Sequence, residues 1–95
     1  MNSLYEKKLV RSSHVSFKSV MDEVVILNHV TGNYYTLNPT GTCIWNYCSE
    51  AKSYQEILSF LSQEYQTKAA SIKTEISFYL EELLKEGLLE ILENK

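Results

Sequence analysis

The chain predicts an α+β domain in which a three-stranded antiparallel sheet is followed by three helices, in the order βββααα. Three observations lead there. Alternating and β-branched runs occupy the N-terminal part, as a pleated, half-buried surface requires. Hydrophobic spacing turns helical immediately after Pro39. A serine–glutamate pair at Ser53 and Glu56 then marks a second helix start.

Residues 1–11 carry no clear period and are expected to form a loose arm on a single domain covering residues 1–95. Ser13-His14-Val15-Ser16-Phe17-Lys18 alternates, which puts Val15 and Phe17 on one face of a first strand. Met21-Asp22 supplies a turn. The run from Glu23 to Asn28 is apolar at adjacent positions, the pattern of a central strand covered on both faces. A second turn follows at Val30–Asn33, where Gly32 and Asn33 tolerate positive φ. The third strand spans Asn33–Leu37. Connections this short make a meander, with the third strand at an edge.

Asn38 then suits a helix N-cap and Pro39 the first helical position, where a missing N–H costs nothing. The first helix runs to about Ser49, with Ile44, Trp45 and Tyr47-Cys48 forming its apolar stripe. Ser53 and Glu56 match a capping box for a second helix carrying Tyr54, Ile57, Leu58, Leu61 and Tyr65. A third helix beginning near Lys68–Ser71 lines up Ile72, Ile76, Tyr79, Leu80 and Leu83. Gly87 fits the position just past its end, and Leu88–Leu92 packs back as a short strand or extended tail. The three helices also look like a winged helix-turn-helix whose wing has moved to the N-terminus.

Composition narrows the function. No apolar run reaches the roughly 20 residues of a membrane span, and the start is not a signal peptide, so a cytoplasmic protein is expected. Cys43 and Cys48 match no zinc spacing and point about 140° apart on a helix, so both are expected as reduced thiols. His14 and His29 lack a third ligand at metal spacing. There is no nucleophile elbow and no glycine-rich phosphate loop, and Glu81-Glu82 falls on a solvated helical face. Neither an enzyme nor a cofactor is expected. A winged-helix DNA-binding regulator is the alternative, but it needs a basic recognition helix. The net charge of −3 lies entirely in residues 71–95, where six glutamates oppose three lysines.

The run Gly32-Asn33-Tyr34-Tyr35-Thr36-Leu37-Asn38, with Gly41 to Trp45 after it, resembles the PqqD-like proteins, the recognition elements of ribosomal peptide natural-product (RiPP) pathways. The Asp22–Leu27 strand, the capped helix with Tyr65, and Phe78-x-x-x-x-Leu83 before Gly87-Leu88-Leu89 extend the likeness to roughly Ser13–Leu89. The resemblance implies a stand-alone, non-catalytic protein. It would grip the leader of a precursor peptide through the third strand and present it to a modifying enzyme. That enzyme would be a lasso-peptide leader protease and cyclase, a radical SAM maturase, or one serving quinone-cofactor (PQQ) synthesis.

The residues point to the same place on their own account. An edge strand shows unpaired N–H and C=O groups and is normally guarded by charge or proline. This one reads Tyr34, Tyr35, Thr36 and Leu37. An extended peptide can pair with it, and the third helix would form the facing wall through Ile72, Ile76, Tyr79, Leu80 and Leu83, a stripe expected to be partly core with its outer margin, Tyr79 and Glu75, as the contact surface. Trp45 is expected in the core. An apolar outer sheet face of Val24, Ile26 and Tyr34 would suit a homodimer.

Overall fold

The computed structural model describes residues 7–92. The strands are β1 (Lys8–Arg11), β2 (Val15–Val20), β3 (Glu23–Asn28), β4 (Tyr34–Leu37), β5 (Lys52–Ser53) and β6 (Leu89–Leu92), and the helices are α1 (Pro39–Tyr47), α2 (Tyr54–Glu64) and α3 (Ala69–Lys85). The expected meander is present as an antiparallel sheet ordered β2-β3-β4. A second sheet, ordered β5-β1-β6, is an addition that the sequence did not disclose.

That second sheet corrects the loose arm. Residues 1–6 lie outside the described residues, but Lys8–Arg11 is the middle strand of three, with Lys8 opposite both Ser53 and Leu92. Leu9 is fully buried there and anchors the strand to the core. Arg11 continues the tie. Its guanidinium lies 4.6 Å from the Phe17 ring centre and 5.1 Å from that of Trp45, and its Nε donates to the Trp45 carbonyl at 2.9 Å. One side chain thereby joins both sheets to α1.

Local signals held at the helix ends. Asn38 accepts from the Gly41 N–H at 2.8 Å, and Pro39 opens α1. The Ser53–Glu56 capping box is reciprocal, with bonds of 3.1 and 2.8 Å. After α3, Gly87 takes φ +76, and the Leu88 N–H reaches back to the Leu83 carbonyl at 2.9 Å. That is the six-residue closure which turns the chain into β6. Met21 carries the β2–β3 turn at φ 58.

The core gathers Trp45, Tyr54, Ile44, Ile57, Leu61 and Leu80 between the helices and the inner sheet face. Val24 and Ile26 belong to it, at 1% and 0% exposure, so they cannot form an outer dimer face. The outward set is instead Val20, Val25, Leu27 and Tyr34, around a shallow hollow of about 320 Å³. Among the described residues, β3 is therefore covered on one side only. The expected outer face also mixed two sides of the sheet, because Tyr34 pairs with Leu27 and shares its face, whereas Val24 and Ile26 lie on the other.

Candidate functional site

Among the described residues, β4 is hydrogen-bonded on one side only, to β3. Its register is Leu27↔Tyr34, Ile26↔Tyr35, Val25↔Thr36 and Val24↔Leu37. The Asn28 N–H donates to the Asn33 carbonyl at 2.9 Å. In an antiparallel ladder, bonded residues alternate with unbonded ones. Tyr35 and Leu37 therefore direct their main-chain groups to β3. Tyr34 and Thr36 direct theirs to the open edge. Side chains alternate as well, with Tyr35 and Leu37 inward and Tyr34 and Thr36 exposed.

α3 runs alongside this strand and is strapped to it at two points. The Tyr35 hydroxyl donates to Glu86 Oε1 at 2.8 Å. The Tyr79 hydroxyl donates to Asn38 Oδ1 at 2.9 Å. Asn28 reinforces the first strap. Buried to 4% exposure, it donates to the Glu86 carbonyl at 3.0 Å while its Oδ1 takes the Val30 N–H at 2.8 Å. Nothing in the sequence announced Asn28 or Glu86, because a strand-end asparagine and a helix-end glutamate are both ordinary surface residues. Burial pushes the Tyr79 phenol above its ordinary pKa, against a lowering influence of the Asn38 backbone.

The expected wall of α3 is placed less simply. Ile76, Leu80 and Leu83 are buried in the core at 2%, 0% and 4% exposure, so they offer no free surface. Ile72 and Tyr79 are half-buried, and Glu75 and Glu82 are exposed. At 100° per residue, Glu75 and Glu82 fall on the side of Tyr79 turned away from that core. The wall available beside β4 is thus aromatic and acidic rather than a continuous apolar stripe. A hollow of about 520 Å³ under the β3–β4 turn shares Glu86 with this wall.

His29 shares a hydrogen bond of 2.5 Å with Ser16, and among the described residues no group of three His, Cys, Asp or Glu is placed to hold a metal ion. Cys43 and Cys48 are free, and burial raises the Cys48 thiol to about 11. No described helix is long and apolar enough to cross a membrane.

The family model for coenzyme PQQ synthesis protein D (PqqD) matches residues 23–89, well over half of the chain and including β3, β4 and all three helices. The chain belongs to the PqqD family. A search of curated proteins finds no significant match. Among solved structures, this PqqD-family chain is similar to TbiB1 in complex with the TbiA(beta) leader peptide. The TM-score is 0.79 at 29% identity, over 90% of this chain and 99% of that one. The neighbour's coverage extends beyond the matched family segment.

Proposed function

We propose that this PqqD-family protein binds the leader of a ribosomally made precursor peptide as a fourth, antiparallel strand on β4, and hands it to a separate modifying enzyme. The observation that carries this is the open edge, where the N–H and C=O groups of Tyr34 and Thr36 face outward beside α3. The likeness to a protein solved with a leader peptide supports the reading.

Magnitudes say what the edge contributes. About four ladder bonds at a net ~1 kcal/mol each give ~4 kcal/mol, the equivalent of only millimolar binding. Micromolar binding needs about 8 kcal/mol, so side chains must supply the difference. Leader side chains turned inward opposite β4 meet Tyr79, those running on past Leu37 reach Glu75 and Ile72, and each buried apolar anchor adds ~1.5–3 kcal/mol before ordering costs. Main chain sets register; these anchors set selectivity. Tyr34 and Leu37 flank the same segment from the outer and inner faces.

Amide exchange followed by NMR tests the mode directly. On titration with the cognate leader, the Tyr34 and Thr36 amides are expected to go from fast exchange to protected, while the Tyr35 amide is protected throughout. A bound leader that leaves Tyr34 and Thr36 exchanging as before would refute strand addition. Catalysis belongs to the partner, a leader protease with its cyclase or a radical SAM maturase. The purified protein, incubated alone with its precursor, is expected to leave the peptide's mass unchanged, and cleavage or modification there would contradict a purely binding role. Duplex DNA gains no support as a partner, since the solvent side of α3 presents Glu75, Glu81 and Glu82.

A further inference from the structure

Gly41 sits in the first turn of α1, where alanine would ordinarily favour the helix. Its φ is not in the left-handed region, so backbone conformation does not demand glycine. Space does. A Cβ at this position would collide with the Tyr79 hydroxyl and lie 2.9 Å from the ring carbon bearing it. That hydroxyl is held by Asn38 Oδ1, which also accepts the Gly41 N–H at 2.8 Å. A single side-chain oxygen therefore caps α1 and fixes Tyr79 of α3, at the residue directly after the open strand.

The geometry points to Asn38, Gly41 and Tyr79 as a latch that sets the width of the leader groove at the Leu37 end of β4. It deepens the strand-addition reading and rests on it. A peptide paired with β4 turns alternate side chains toward α3, and at this end the wall they meet is the Tyr79 ring. Latched, the ring stays put before the peptide arrives, and binding need not order it. A Cβ at Gly41 would drive the ring away from its place or push α1 and α3 apart, and the wall would be lost with the fold intact. The Tyr35–Glu86 bond holds the opposite end of the groove. Gly41 and Asn38 are thus positioning residues. Neither needs to touch the peptide.

The probes for the test are peptides selected on the wild-type protein from a random displayed library, keeping those whose binding Thr36→Pro weakens at least about fivefold. Gly41→Ala is expected to weaken them at least about tenfold, the equivalent of about 1.4 kcal/mol. On a Tyr79→Leu background, which has no ring to displace, the same alanine is expected to cost nothing further. Tyr79→Phe keeps the ring and removes only the bond to Asn38. It is expected to weaken binding severalfold with little change in denaturation midpoint, and it keeps the test decisive should Gly41→Ala fail to fold. A folded Gly41→Ala protein with wild-type affinity, an equal loss on both backgrounds, or wild-type binding by Tyr79→Phe would each overturn the latch. A selection yielding no peptide sensitive to Thr36→Pro overturns strand addition instead, and the latch falls with it.

Discussion

Ile76→Glu is expected to unfold the domain. Ile76 is 2% exposed and shares its core cluster with Leu80, Leu83, Ile57 and Trp45. Removing a buried aliphatic side chain costs about 2–5 kcal/mol before any charge is counted. A carboxylate placed there without a partner adds its desolvation, against a total stability of about 5–15 kcal/mol for a domain of this kind. The pH dependence has a definite sign. Burial raises the folded-state pKa of the new glutamate, so the folded form holds its proton to higher pH than the unfolded chain. The destabilisation is therefore largest above that folded pKa and eases as pH falls toward the ordinary glutamate range. Glu75→Gln, one residue away on the exposed flank, should change stability by no more than about 0.5 kcal/mol. Denaturant midpoints for both variants at neutral and mildly acidic pH make the comparison. A folded Ile76→Glu protein with a near wild-type midpoint would mean that this position is part of an open groove after all.

The difference between these neighbours marks where the sequence could be read and where it could not. Signals written within a few residues survived intact: Asn38 before Pro39, Ser53 with Glu56, Gly87 after α3. Each works through bonds between residues only three to five apart, so local chemistry decides it. β1 has no such signal. Lys8-Leu9-Val10-Arg11 is short and half charged, and it becomes a strand because Leu89–Leu92 and Lys52–Ser53 come to it from far along the chain. The site divides in the same way. The β4 edge followed from short turns and alternation. The apolar stripe of α3 was real, but which margin of it stays open depends on where β4 docks, through Tyr35–Glu86 and Tyr79–Asn38, 51 and 41 residues apart. A helical period locates a stripe; only the tertiary neighbour says which part of it is spent on the core. The faces of β3 failed for a related reason. With Val24, Val25, Ile26 and Leu27 all apolar, nothing local distinguishes inside from outside, and a one-residue slip exchanges them.

A proline scan of β4 should separate main-chain recognition from everything else. Proline lacks an N–H, and an edge strand tolerates it only where that N–H faces solvent. Thr36→Pro and Tyr34→Pro meet this condition, because both amides face the open edge. Both variants are expected to fold with little loss of stability. Each is expected to lose at least about fivefold in leader affinity, the ~1 kcal/mol of one ladder bond, with the ring's bulk at the edge adding to it. Tyr35→Pro should behave in the opposite way. Its N–H belongs to the β3 ladder and its hydroxyl to the Glu86 strap, so the fold itself is expected to weaken by about 3 kcal/mol or more. Thr36→Ala completes the set. The Thr36 side chain is exposed on the outer face, so its removal should leave both stability and affinity nearly unchanged and assign the proline effect to the backbone. Calorimetric titration with the cognate leader, on variants first shown to be folded, measures each loss. Wild-type affinity in both folded Thr36→Pro and folded Tyr34→Pro would place the peptide somewhere other than the edge of β4.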